Sequence, residues 1–224
     1  MAKKLEAALG YTYKNRALLN TALSHSSYAN EVYQDTLHSY ERLEFLGDSI
    51  LGFVTADYLY RTFPTKQEGE LTRIRAELVC EKNLAAVAEK LQLGEYLLLG
   101  RGEQNGGGKH RASILCDVME ALIAAAYLDS GFEAAKGIIT RLILPRLSQV
   151  TASHDYKTEL QERVQEKRGQ VLSYELIGEI GPDHSKEFEV RALLNGEPVG
   201  YGRGTSKKRA EQAAAAEAIK KLFP

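Results

Sequence analysis

From Met1 to about Val150, apolar residues recur at helical spacing almost without a break, and no segment alternates as a strand would. Leu5, Leu9, Leu18, Leu19 and Leu23 predict two short helices around a turn at Gly10–Tyr11. Tyr40–Phe63 is long and periodic, and Pro64 stops it. Glu68–Val79 and Glu81–Leu91 predict two more helices. Gly94 to Lys109 is rich in glycine, with Gly106, Gly107 and Gly108 near its end, and reads largely as loop. Arg111–Asp129 resumes a helix that Gly131 closes, and a last one opens at Phe132 and runs to about Leu147. The short polar stretch Gln149–Asp155 reads as a linker. The period then changes. Tyr156–Arg168 is helical up to Gly169, and Leu172–Ile180 reads as a strand. A turn at Gly181–His184 follows, then strict alternation of Phe188, Val190, Ala192 and Leu194. Asn195-Gly196 signals a hairpin into Pro198–Arg203, and an alanine-rich helix closes the chain over Thr205–Leu222. The expected fold is two domains: an all-α domain over 1–148, a linker over 149–155, and an α+β domain of order α-β-β-β-α over 156–224.

Composition narrows the class. Of 224 residues, 44% are hydrophobic and 26% charged, which fits a chain with a packed core and excludes intrinsic disorder. The longest strongly apolar run, Ala121–Leu128, is too short to span a bilayer, and the first fifteen residues hold no apolar core of signal-peptide length. The expectation is a soluble, cytoplasmic protein without a membrane partner. Two cysteines, Cys80 and Cys116, are too few for a disulfide framework or a four-ligand zinc site, and read as small core residues. Net charge is −1, which excludes a generally basic nucleic-acid binder and leaves local charge to decide.

The local charge is unusual in ERLEFLGDS, Glu41 to Ser49. Glu41, Glu44 and Asp48 lie at i, i+3 and i+7, along one helix face among apolar neighbours. Asp117 and Glu120 repeat the i, i+3 spacing inside the very apolar CDVMEALIAAAYL. Acids in such surroundings are costly unless paired or bound to metal. Either basic partners reach them, with Arg42, Arg73, Arg75 and Arg111 available, or the two helices cross and their acids share a Mg²⁺ pocket. A carboxylate-held Mg²⁺ suits phosphodiester hydrolysis.

These residues carry a resemblance. ERLEFLGDS is similar to the signature of bacterial ribonuclease III. LGYTYKNRALLNTALSHSSY (9–28), FPTKQEGELTRIRAELVCEKNLA (63–85) and the LGRGE…GGGKHRASILCDVMEALIAA run (99–125) resemble further segments of that family in the same order. The carboxy-terminal region resembles the double-stranded RNA-binding domain that accompanies the nuclease. The resemblance implies an endonuclease that uses Mg²⁺, with Mn²⁺ able to substitute. It implies hydrolysis of double-stranded RNA to 5′-phosphate and 3′-hydroxyl ends, in processing ribosomal RNA precursors and messenger RNAs. Glu44, Asp48, Asp117 and Glu120 match the family's metal-binding carboxylates, with Asp48 and Glu120 central to catalysis. Glu41, Glu68 and Glu103 match supporting acids. Phe45, which the residues alone would place in the core, matches a residue packed across a homodimer interface. His25 reads as a packed or capping residue.

In residues 151–224, 12 Lys+Arg meet 12 Asp+Glu, yet no acid lies between Pro198 and Ala210, where Arg203, Lys207, Lys208 and Arg209 cluster. Thr158, Gln161, Glu162 and Gln165 share one helix face, while Leu160 and Val164 point toward a core. Long polar side chains suit the shallow minor groove of duplex RNA. His184 in the turn between the first two strands is placed to reach a second minor groove, and Lys207 and Lys208 the phosphates between. The competing readings are a double-stranded RNA-binding protein that has lost its chemistry and a phosphohydrolase acting on nucleotides. The acids at 48, 117 and 120 argue against the first, and five scattered histidines against the second.

Overall fold

The computed structural model describes residues 2–152, 156–165, 169–182 and 186–223. The chain divides into two compact units, Met1–Ala152 and Ser153–Pro224. The first is helical, and among its described residues the nearest thing to a strand is one bridge between Ser24 and Leu98.

Its centre is the helix Ala112–Ser130, here α8 in chain order after α1 (Ala2–Leu9), α2 (Arg16–Ala22), α3 (Ser26–Tyr33), α4 (Glu41–Thr62), α5 (Glu68–Val79), α6 (Glu81–Lys90) and α7 (Arg101–Asn105). From Ile114 to Ala126 every residue of α8 except Asp117 is buried. A helix apolar on all sides has to lie inside the fold, with other helices around it. The longest of these, α4, crosses α8 at Gly47. A Cβ on Gly47 would drive into the carbonyl oxygen of Glu120 and lie 3.1 Å from its Cα, so glycine sets the spacing of the two helices. Gly131, at φ 82°, ends α8 as its position predicts. Near that end, Asp129 accepts the phenol of Tyr11 (2.5 Å) and the amides of Lys14 (2.8 Å) and Asn15 (2.7 Å), tying the amino-terminal helices to the core.

Three stretches depart from the sequence expectation. The region 26–33 forms α3, whose first turn is capped by His25: its Nδ1 accepts the amide of Ser27 at 3.1 Å. The glycine-rich stretch contains α7 and two short 3₁₀ turns, Leu93–Tyr96 and Gly108–His110. Helix α9 (Phe132–Leu142) stops before Pro145, which cannot donate to the helix ladder, and a new helix, α10 (Leu147–Ala152), follows. Residues 149–152 of the expected linker are therefore helical. Leu147 and Val150, three apart, pack on the buried cluster of Leu59, Ile74 and Leu78, which rewards helix there. Residues 153–155 lie outside the described residues.

The second unit has α11 (Tyr156–Gln165), β1 (Leu172–Ile180), β2 (Glu187–Leu194), β3 (Glu197–Gly204) and α12 (Lys207–Leu222). The strands form an antiparallel sheet of order β1-β2-β3. Asn195 (φ 52°) and Gly196 (φ 87°) make the tight turn into β3, both left-handed as a twisted hairpin requires. Val190 and Ala192 face a core completed by Leu160, Val164, Val199 and the alanines 210, 214, 215 and 218 of α12. Val190 pairs with Gly202 and Ala192 with Gly200. Gly200, Gly202 and Gly204 alternate along β3, and a Cβ at any of them would enter the backbone of α12 near Ala210, Ala214 or Ala218. The helix lies directly on the strand.

Candidate active site and RNA face

The crossing of α4 on α8 gathers four carboxylates. Helical spacing puts Glu44 and Asp48 one turn apart on α4, and Asp117 and Glu120 one turn apart on α8. The Gly47–Glu120 backbone contact makes the two pairs meet. Glu120 is buried, at 8% exposure. Burial and then the charges of Asp48, Glu44 and Asp117 push its carboxyl from 4.5 up to about 8. Glu44 is raised by burial and by Asp117, Glu41 and Asp48. Asp117 is also raised, first by burial. The phenol of Tyr40 opposes that shift by donating to Asp117 Oδ2 at 3.2 Å.

The basic partners named as one way out do not come. Arg111 pairs with Glu103 (2.8 Å) and Arg73 with Glu77 (3.3 Å). Among the described residues no Lys, Arg or His forms an ion pair with Glu44, Asp48, Asp117 or Glu120. Four gathered acids without an ion-paired partner fit a divalent cation, and oxygen donors fit a hard one such as Mg²⁺. Donor atoms of Cys116, Asp117 and Glu120 lie within 4.8 Å of one another. Burial and the neighbouring acids push the Cys116 thiol up in the metal-free fold, and a hard ion would draw on the oxygens of Asp117 and Glu120 rather than on sulfur.

The other predicted acids separate. Glu41 stands one turn before Glu44, and its charge adds to the raising of Glu44 and Asp117. Glu68, on α5, instead accepts the hydroxyl of Thr72 at 2.7 Å and borders a groove of about 390 Å³ with Phe53, Tyr60, Leu71 and Arg75. Glu103, on α7, is paired with Arg111. Phe45 is not core: it is 79% exposed, because the buried face of α4 runs through Leu43, Gly47, Leu51 and Val54 instead. Cys116 is buried as expected, but Cys80 is on the surface, its thiol donating to the carbonyl of Glu77. Sequence reasoning missed Gly47 and Tyr40. The glycine inside ERLEFLGDS was a visible signal, since a glycine in a helix interior destabilises it unless something approaches closely.

In the second unit, Leu160 and Val164 are buried, while Thr158, Glu162 and Gln165 are exposed and Gln161 half-buried. Ser206 caps α12 by accepting the amide of Arg209 (3.3 Å), and Lys207 and Lys208 are exposed beside it. Lys207 Nζ stands 3.8 Å from Glu179 and over the Phe188 ring at 5.8 Å, and Arg203 is paired with Glu189. Lys208 has no acid partner among the described residues. His184 lies outside the described residues.

Known proteins place this arrangement. Residues 15–147 match the Ribonuclease-III-like family, and residues 156–222 match the Double-stranded RNA binding motif. The class is therefore a helical nuclease unit followed by a double-stranded RNA-binding unit. Ribonuclease 3 of Syntrophotalea carbinolica is 45% identical, covering 99% of this chain and 97% of the relative. Ribonuclease 3 of Caldanaerobacter subterraneus subsp. tengcongensis is 47% identical, covering 99% and 98%. The solved nuclease domain of ribonuclease III from Campylobacter jejuni is 44% identical with a TM-score of 0.59, covering 64% of this chain and 94% of the domain. The chain belongs to the ribonuclease III family, the endoribonucleases of double-stranded RNA. No helix among the described residues is long and apolar enough to cross a membrane.

Proposed function

We propose that this chain is a Mg²⁺-dependent nuclease that cuts both strands of duplex RNA as a homodimer, leaving 5′-phosphate and 3′-hydroxyl ends. Its proposed setting is the cytoplasm, and its proposed substrates are ribosomal RNA precursors and structured messenger RNAs. The observation that carries the reading is Glu120, a buried carboxyl raised by three other acids, with no ion pair among the described residues to offset them. Glu44, Asp48, Asp117 and Glu120 would hold the ion, Mg²⁺ or in its place Mn²⁺. When bound, the ion lowers the pKa of water and offsets charge on the leaving oxygen. The chain's own residues supply the geometry. Gly47 sets the distance between the two acid pairs, and Tyr40 fixes the Asp117 carboxylate. Glu41 deepens the negative field, and Glu68 and Glu103 act on substrate or loop order from outside the cluster.

In the second unit, Thr158, Gln161, Glu162 and Gln165 are assigned to one minor groove, His184 to the next, and Lys207 and Lys208 to phosphates. Support for the dimer comes from Phe45, whose 79% exposure on the acid-bearing helix leaves a large apolar ring without cover. In a second solved structure of the Campylobacter jejuni nuclease domain, 43% identical with a TM-score of 0.60, structural flexibility is described in a region involved in dimer formation. The test incubates the full chain with long duplex RNA in Mg²⁺ or EDTA, beside Glu120→Gln. Cutting by the wild type in Mg²⁺ alone is expected. Binding without cutting would leave a non-catalytic RNA binder, and equal cutting of single-stranded RNA would remove the duplex from the proposal.

A further inference from the structure

The segment between α3 and α4 builds a second concavity on the nuclease unit. Gln34, at φ 53°, turns the chain out of α3, and Asp35 caps a 3₁₀ turn over Thr36–His38 by accepting the amide of Leu37 at 2.8 Å. The turn is pinned at its far end, where the amide of Tyr40 donates to the carbonyl of Ser24 at 2.8 Å. These constraints bring His38 onto Tyr33 as a stacked pair, 4.8 Å between ring centres and 28° between planes. Tyr28 meets Tyr33 edge-on at 6.3 Å. The rings line a cavity of about 310 Å³ together with Asn20, Thr21 and Ser24.

Two properties of this cavity suit a flat heteroaromatic ligand. Its aromatic wall is open: Tyr33 is 51% exposed and the His38 side chain 57%. Of its polar lining, the Ser24 hydroxyl donates to the Asn20 carbonyl at 2.7 Å, and two side chains stay uncommitted. Among the described residues neither the Asn20 amide nor the Thr21 hydroxyl has a hydrogen-bond partner. A stacking surface sharing a cavity with a free amide and hydroxyl suits a nucleobase, which needs rings for its face and polar groups for its edge. The position adds to the argument. Ser24 lines the cavity and bonds the backbone of Tyr40, whose phenol bonds Asp117. Tyr40 thus links the lining of the cavity to the carboxylate cluster through two hydrogen bonds.

We propose that this cavity is a subsite for a single unpaired nucleobase of the RNA substrate, next to the cleaved bond. The proposal rests on the duplex-RNA nuclease reading above. Bases inside a duplex keep their faces stacked, so only a bulged or extruded base can enter, and extrusion costs least where pairing is already absent. The subsite would favour cutting beside an irregularity and leave a regular duplex as a plain substrate.

The experiment uses the full chain in EDTA, where binding is read without cutting. The probes are a regular RNA duplex, the same duplex with one unpaired 2-aminopurine nucleotide at successive positions near the cut, and its abasic counterpart. For the wild type, the bulged base should bind about ten-fold tighter than the abasic bulge, as one base–aromatic stack provides, with its fluorescence quenched. Tyr33→Ala with His38→Ala should erase both effects and leave binding of the regular duplex unchanged. Tyr33→Phe should keep them, and Asn20→Ala should alter which base is preferred. Equal binding of bulged and abasic duplexes at every position would overturn the subsite. So would an equal loss on regular and bulged duplexes. Regular duplex that is not cut when Mg²⁺ is restored would instead remove the underlying nuclease reading.

Discussion

Replacing Glu120 by glutamine separates the electrostatics of the acid cluster from its shape. The amide keeps the volume of the carboxyl but cannot ionise. In the metal-free fold, burial and then Asp48, Glu44 and Asp117 raise the Glu120 carboxyl from 4.5 to about 8. The native state therefore holds a proton through a pH range in which the unfolded chain has lost it. Stability from this group is complete below pH 4.5 and falls as pH rises toward 8. At about 1.4 kcal/mol for each pH unit, the loss reaches on the order of 5 kcal/mol, shared in part with Glu44 and Asp117, which are raised beside it. Denaturant unfolding in EDTA from pH 5 to pH 9 measures it. The wild type should lose stability steadily across this range, while Glu120→Gln stays flatter and is the more stable protein at pH 8. Mg²⁺ should reverse the order by stabilising the wild type alone, since a ligand that binds only the native state raises its stability. Parallel pH curves for the two proteins in EDTA would refute the reasoning, because Glu120 would then be ionised at no cost.

Gly47→Ala forces a methyl group against the Glu120 carbonyl; it should cost about 1–3 kcal/mol in denaturant unfolding and reduce cleavage, and a fully active, fully stable variant would remove the close crossing. Tyr40→Phe removes the donor to Asp117 and should raise the Mg²⁺ concentration needed for half-maximal cutting, with a loss of only about 1 kcal/mol in stability; unchanged Mg²⁺ dependence would leave the phenol without a role. Lys207→Ala with Lys208→Ala should weaken RNA binding and flatten its dependence on salt, and an unaltered salt slope would take both lysines out of the interface. Phe45→Glu should convert a sedimenting dimer to a monomer, and a chain of the same sedimentation before and after would remove Phe45 from the interface.

Much of this was legible because one local rule governed it. Spacing on a helix placed Glu44 and Asp48 together, and Asp117 with Glu120, without knowledge of any other element. The same is true of β1, read residue for residue as Leu172–Ile180, and of the Asn195-Gly196 turn. What escaped depends on partners distant in sequence. Helix α3 buries only Ala29 and is held by the His25 cap and by contacts to Leu98 and Gly100 through His25 and Ser27. Helix α10 is rewarded by a cluster contributed from α4 and α5. Phe45 looked like core because apolar residues surround it in sequence, yet it falls outside the stripe that α8 covers.

The alternation of Gly200, Gly202 and Gly204 under the alanines of α12 has a consequence for variation in this protein. Each removed side chain acts as a keyway cut for the helix, and the register of helix on strand is fixed by absence of atoms. Such a joint cannot be repaired by a compensating change on the helix, since what meets the added methyl is main chain that every residue carries. A single substitution there would lift the amino-terminal end of α12, and Lys207 and Lys208 with it, away from where the sheet holds them. A lysine lost there removes one charge; a glycine lost there displaces both lysines at once.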